Sequence, residues 1–176
     1  MSSCNKLGLK EPLLIVFAGP PCAGKSTVAG ELARRLGISY LSMDATRQRI
    51  LPGAAHTRAD REVAYRAMHF AAELLLQAGG DVVLDAPYGH PEDRTELARI
   101  VDAGAARFRL VECRVSPETA VSRFRQRGPD PDRPDLTGDA VAQSARDYPY
   151  RSSGLVLDMD NPGLEDAIRQ VREYIL

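Results

Sequence analysis

Gly19-Pro20-Pro21-Cys22-Ala23-Gly24-Lys25-Ser26 spells G-x-x-x-x-G-K-S. It stands directly after the apolar run Leu13-Leu14-Ile15-Val16-Phe17-Ala18 and ahead of a segment, residues 27–36, in which Val28, Leu32 and Leu36 recur at helical spacing. Strand, loop and helix in that order are the setting in which this pattern holds phosphate. Glycines at both ends let the backbone curl, so that successive N–H groups point at a nucleotide's β-phosphate, and Lys25 bridges the β- and γ-phosphates. Ser26 is placed to ligate Mg²⁺. The expected nucleotide site is therefore Gly19, Pro20, Pro21, Cys22, Ala23, Gly24, Lys25, Ser26 and Thr27. A cysteine among those N–H groups and beside Lys25 is also expected to have a lowered thiol pKa.

Working outward, apolar segments that read as strands recur at Leu13–Ala18, Ser39–Ser42, Val82–Asp85, Phe108–Val115 and Leu155–Asp158, with helical patterns between them. This alternation predicts an α/β fold, a P-loop NTPase three-layer αβα sandwich around a five-stranded parallel sheet. The long helix is expected between Arg58 and Gln77, with Val63, Ala67, Phe70, Ala71, Leu74 and Leu75 at helical spacing and Gly79-Gly80 stopping it. Its polar side would carry Arg58, Arg61, Arg66 and His69. Later helices are expected to begin at Pro91, at Pro117 behind the cap Ser116, and near Leu164. Residues 128–138, rich in proline and acid, read as a polar loop.

The chain of 176 residues predicts one domain, residues 13–176, behind a flexible tail of residues 1–12. With 23 Lys and Arg against 24 Asp and Glu the net charge is −1, so no global field draws the protein to nucleic acid or to anionic lipid. Three cysteines, Cys4, Cys22 and Cys113, form no C-x-x-C pair, which predicts a reducing, cytoplasmic setting and no zinc site. No apolar run is long enough to span a membrane.

A phosphate loop says NTP without saying what is done with it. The N-K-x-D that reads guanine in GTPases is missing, and the chain is too short for a ring ATPase module, which leaves a compact phosphotransferase. Asp44, directly after the second strand, would face the γ-phosphate across the cleft at the carboxyl ends of the strands, where it could take a proton from an attacking hydroxyl or merely cap the next helix. Arg47, one turn on, points the same way in an ideal helix and could hold part of an acceptor. Asp85 ends an apolar strand, as does the carboxylate that holds a Mg²⁺-bound water in many NTPases, and it could also contact the acceptor.

Taken together, G-P-P-C-A-G-K-S-T, the D-x-x-R of Asp44 and Arg47, the strand Val82–Ala86 and the R-x-x-x-R of Arg123 and Arg127 resemble the AAA-type P-loop kinases. That group includes the 5′-kinase domain of polynucleotide kinase, zeta toxins and chloramphenicol phosphotransferase. The resemblance implies ATP and Mg²⁺ as cofactors, Asp44 as general base and Arg47 as an acceptor-binding residue. It also implies that Arg123 reaches the transferring phosphoryl group, that Arg127 lies near the nucleotide base, and that a short lid covers about residues 123–138. Relatives often follow the Asp85 position with Thr-Asn. Here Ala86-Pro87-Tyr88-Gly89-His90 follows, and Tyr88 and His90 are expected to line the acceptor pocket.

The expectation is a kinase that moves the γ-phosphoryl of ATP to a hydroxyl of a small molecule such as a nucleoside, sugar or antibiotic. A polynucleotide 5′-hydroxyl kinase is the rival among enzymes, and a regulatory NTP-binding module without acceptor is the rival of another class.

Overall fold

In a computed structural model of the chain, the described residues are 11–104, 106–128, 133, 135–151, 153–161 and 163–176. Five strands, β1 (Leu13–Ala18), β2 (Ser39–Ser42), β3 (Val82–Asp85), β4 (Arg107–Arg114) and β5 (Leu155–Asp158), form one sheet in the order β2-β3-β1-β4-β5, with every pair parallel. The helices between and after them are α1 (Lys25–Leu36), α2 (Met43–Ile50), α3 (Arg58–Gln77), α4 (Pro91–Gly104), α5 (Pro117–Arg127), α6 (Gly138–Asp147) and α7 (Leu164–Ile175). The order places β1 at the centre, with the chain winding outward from it in both directions.

Central β1 is buried along its whole length, and its side chains alternate between two cores as a pleated strand requires. Leu13, Ile15 and Phe17 join Val28, Leu32, Val141, Leu157 and Ile168 on the face covered by α1 and α7. Leu14, Val16 and Ala18 join Met43, Tyr65, Met68, Leu84 and Ile100 on the face covered by α3 and α4. The expected three layers are therefore present.

Two readings of helix faces change. The inward stripe of α3 is Ala64, Tyr65, Met68, His69, Ala72 and Leu76, while Val63, Phe70 and Leu74 are exposed. His69, expected on the polar side, is buried, with its Nε2 3.0 Å from the Tyr88 hydroxyl. Phe70 and Leu74 are more apolar than the aromatic and polar side chains that win the core, so periodicity weighted by hydropathy selects a neighbouring stripe. Helix α6 was not foreseen. Its N-cap Thr137, whose side chain accepts from Ala140 N, stands at the end of what reads as a loop. Of the expected loop and lid, residues 129–132 and 134 lie outside the described residues, as do residues 1–10 of the expected tail. Among the described residues no helix is long and apolar enough to cross a membrane.

Burial pushes the His69 pKa down to about 4 from an ordinary 6.5. The unfolded chain then takes up a proton before the folded one does, so this group's contribution to stability is present above pH 6.5 and lost as pH falls toward 4. Urea unfolding at pH 7.5 and pH 4.5 should show wild type losing up to ~3 kcal/mol more than His69→Gln over that interval. Equal losses would remove His69 as the source.

Candidate active site

The phosphate loop forms because its two glycines sit where side chains do not fit. A Cβ on Gly19 would lie 2.6 Å from the Cys113 carbonyl oxygen at a φ of 149°, and Gly24 turns the chain into α1 at a φ of 86°. Gly24 is the N-cap residue and offers no side chain to the first-turn N–H groups, and no acid stands in that turn. These donors, with the positive end of the helix dipole behind them, are left for an anion. Lys25 is buried, and its Nζ donates to the Pro20 carbonyl at 2.8 Å. That neutral acceptor occupies the ammonium where a phosphate oxygen would otherwise do so.

Parallel register brings the other groups to the same end of the sheet. Phe17 of β1, Asp85 of β3 and Ser42 of β2 are paired in one row, so the chain leaves all three strands at one level. A cleft of about 100 Å³ there is lined by Cys22, Lys25, Ser26, Asp44, Asp85 and Arg127, among others. The structure thus brings together Lys25, Ser26, Asp44 and Asp85, four residues singled out in the sequence. Asp44 is exposed and does not cap α2. The cap is Ser42, whose hydroxyl accepts from Ala45 N at 3.5 Å. Asp44 lies in the first turn, with its carboxylate left for other work.

Asp85 is buried and accepts a hydrogen bond from the Tyr40 hydroxyl at 2.8 Å. Burial and the neighbouring Asp85 carboxylate raise the Tyr40 pKa, so the phenol keeps the proton it donates. Sequence reading missed Tyr40. Its strand position places it outward, and only the pairing of β2 with β3 shows that it reaches Asp85.

A Mg²⁺ ion fits this donor set. Ser26 and Asp85 are hard oxygen donors in one cleft. Among the described residues no cluster of three or more His, Cys, Asp or Glu is arranged to hold a metal, so the remaining ligands would be phosphate oxygens and water, as Mg²⁺ prefers.

Other expected site residues are placed differently. Arg123 does not point into the cleft. Its Nη1 lies 3.5 Å from the carbonyls of Cys22 and Ala23, and its Nη2 donates to the Met159 carbonyl at 2.5 Å, so it braces the loop from behind. Arg127, expected near the base, lines the cleft with Lys25. Arg47, although one turn from Asp44 on the same helix, is buried and is not among the residues that line either cleft. Tyr88 is also buried. Its backbone N donates to the Tyr65 hydroxyl at 3.0 Å, and its ring lines a separate cavity beside α4 rather than an acceptor pocket. For the Cys22 thiol, burial raises the pKa, and the pull of Arg127, Lys25, Arg123 and Arg133 offsets only part of it. The expected lowering is not found, although the fully buried Cys113 thiol is pushed further, up to about 12.

A second cleft of about 310 Å³ opens beside the first and shares Pro21, Met43, Pro87, Arg133 and Leu136 with it. His90, Arg58 and Arg61 stand in its wall. Its rim is tied to the phosphate loop through one carbonyl, that of Pro87, which accepts from Gly19 N at 3.2 Å and from the Tyr148 hydroxyl at 2.5 Å. Arg94 clamps the same corner, with Nε donating to the Tyr88 carbonyl at 2.6 Å and Nη2 to the Pro149 carbonyl at 3.1 Å. Nη2 also lies 3.5 Å from the buried Glu112 carboxylate.

Removing the hydroxyl that holds Asp85 should act through the metal. Tyr40→Phe should raise the Mg²⁺ concentration needed for half-maximal nucleotide binding by roughly 10-fold, with metal-free nucleotide binding unchanged. Titration of a fluorescent ATP analogue at a series of Mg²⁺ concentrations measures this, and superimposable curves would show that the bond does not tune the site.

Comparison with known proteins agrees with this geometry. The AAA-domain family profile matches residues 14–149. An adenylyl-sulfate kinase of Deinococcus deserti is 27% identical over 167 residues, covering 92% of this chain and 90% of its own. Among solved structures, a candidate kinase of Chloroflexus aurantiacus superposes with a TM-score of 0.76 at 21% identity over 95% of this chain and 100% of its own. The adenylyl-sulfate (APS) kinase of Mycobacterium tuberculosis, solved with AMPPNP and APS, gives 0.72 at 21% identity over 93% and 97%. Because the profile spans the phosphate loop, the residues of both clefts and four of the five strands, the chain belongs to the AAA-domain family and has the fold of the P-loop kinases.

Proposed function

We propose that this protein is an ATP- and Mg²⁺-dependent kinase that phosphorylates a hydroxyl group of a small molecule. The observation that carries the reading is the meeting of Lys25, Ser26, Asp44 and Asp85 in one cleft that opens into a second, acceptor-sized one. A regulatory module would have no use for an uncapped, exposed Asp44 facing the phosphate loop. The kinase names of the Deinococcus and Mycobacterium relatives support the same class.

In this reading the acceptor's hydroxyl oxygen attacks the γ-phosphorus, the bond from that phosphorus to the β–γ bridging oxygen breaks, and ADP leaves. The hydroxyl proton passes to the Asp44 carboxylate. Lys25 exchanges the Pro20 carbonyl for β- and γ-phosphate oxygens, and the first-turn N–H groups of α1 hold the β-phosphate. Arg127, in the cleft, is better placed than Arg123 to meet charge on the transferring group. Mg²⁺, when bound near Ser26 and Asp85, neutralises phosphate charge. In this reading the acceptor lies on the side of the second cleft, whose 310 Å³ suits a small molecule better than an extended polymer. The near-neutral net charge also favours this over the polynucleotide reading.

Two variants test the assignment. Asp44→Asn keeps the size of the side chain and removes its basicity, so kcat should fall by about 10²–10⁴ with ATP affinity nearly unchanged. A near-wild-type kcat would refute the base assignment. Lys25→Ala should abolish transfer and weaken ATP–Mg²⁺ binding. Wild type should gain about 2.7 kcal/mol of stability at 100 times Kd of ATP–Mg²⁺, and a thermal scan unmoved by saturating nucleotide would overturn the kinase reading itself.

A further inference from the structure

Five buried side-chain nitrogen or oxygen atoms among the described residues have no hydrogen-bond partner, and three of them fall within one stretch: Arg47 Nε, His56 Nε2 and Arg61 Nε. Native proteins pair nearly all such atoms, and an unpaired guanidinium out of water is among the more expensive exceptions. Arg47 comes from α2, His56 from the turn before α3, and Arg61 from the first turns of α3. Of these three residues, Arg61 is the one that lines the second cleft.

The wall of that cleft contains three arginines, and they are not equivalent. Arg58 is committed to Asp93, with Nη2 3.0 Å from Oδ1, and to Glu62, with Nε 3.1 Å from Oε1. Arg133 is committed to Asp135, with Nε 3.2 Å from Oδ1. Arg61 makes no side-chain hydrogen bond or ion pair among the described residues. It is the one of the three that no carboxylate holds among the described residues. Arg47, on α2, is 3% exposed and also lacks a partner for Nε, but it is not in the lining of the cleft.

Resting on the kinase reading, we propose that the acceptor is an anion, whose carboxylate, sulfate or phosphate group is held by Arg61 while its hydroxyl end reaches the phosphate loop. A guanidinium offers a planar fork that pairs with two oxygens of such a group. The two clefts share Pro21, Met43 and Arg133, so a molecule anchored at Arg61 lies along the path to Asp44. Asp93, Asp135 and Asp147 also line the cleft, but the first two hold Arg58 and Arg133 and the third accepts from Gln143, so the anion would take the place at Arg61 that no carboxylate fills. A neutral sugar or nucleoside would leave the Arg61 guanidinium unpaired in the complex, and desolvated more deeply.

Sulfate is a sufficient probe when the phosphate loop is already filled. Wild-type protein saturated with AMPPNP–Mg²⁺ should show a saturable change in the Arg61 Nε–Hε resonance on sulfate titration. Arg61→Gln should weaken sulfate at least 10-fold as read from the other shifting resonances, and Arg61→Lys should fall between the two. Arg66→Gln, one turn further along the exposed side of α3, should bind like wild type. Because Arg61 lacks a partner, Arg61→Gln should unfold no earlier than wild type in the absence of sulfate, which separates lost binding from lost structure. Wild-type sulfate affinity in Arg61→Gln, or no saturable response at all, overturns the anion site while leaving the kinase reading intact. Failure of AMPPNP–Mg²⁺ to bind overturns the kinase reading, whatever sulfate does.

Discussion

A single close approach governs this molecule: the Gly19 backbone passes so near the Cys113 carbonyl that a methyl group in place of its hydrogen would sit 2.6 Å from the oxygen. The loop is wedged between the ends of β3 and β4, held on one side by Gly19 N donating to Pro87 and packed on the other against β4. From that wedge the chain has one way out, through the left-handed turn at Gly24 into α1. The positions of Lys25, Ser26 and the open helix N-terminus follow from it. So does the placing of Asp85 and Asp44 at the same end of the sheet, because Asp85 ends β3, which pairs with β1, and Asp44 opens α2 directly after β2, which pairs with β3.

Much of this was legible in the sequence, and the reason is physical. A strand buried on both faces must be continuously apolar, so Leu13–Ala18 and Val82–Asp85 announce themselves. A loop that must admit φ values of 149° and 86° must place glycine at fixed positions. Helix starts at Pro91 and Pro117 were equally plain, since proline fits the first turn and Ser116 caps it. What failed was inference about which way a side chain turns. Arg47 and Asp44 share a helix, yet Asp44 lines the phosphate cleft and Arg47 is buried away from solvent. Tyr88 sits in a loop beside the cleft and yet turns inward to His69. Arg123 meets the carbonyls of Cys22, Ala23 and Met159. Each depends on a tertiary neighbour that no local spacing encodes. Tyr40 and Arg61 gain their interest only from what stands, or fails to stand, opposite them.

The distribution of charge in the two clefts has a simple logic. In the phosphate cleft the protein uses neutral donors first, the N–H groups of α1, and adds Lys25 already pointed inward with a carbonyl to hold it. The loop is therefore formed before ligand arrives, and little ordering is charged against nucleotide binding. In the neighbouring cleft Arg58 and Arg133 are neutralised locally while Arg61 is not. The contrast separates Arg58, which ties α3 to α4, and Arg133, held by its neighbour Asp135, from an arginine whose charge has no structural employment.

The doubly used Pro87 carbonyl also has a mechanical consequence. It receives Gly19 N from the phosphate loop and the Tyr148 hydroxyl from the C-cap of α6, and Arg94 grips Pro149 just beyond. Val141 and Ala145 seat α6 in the core, so the helix stands as a fixed strut, and strain put on it at Tyr148 is passed through one shared oxygen to Gly19 of the phosphate loop.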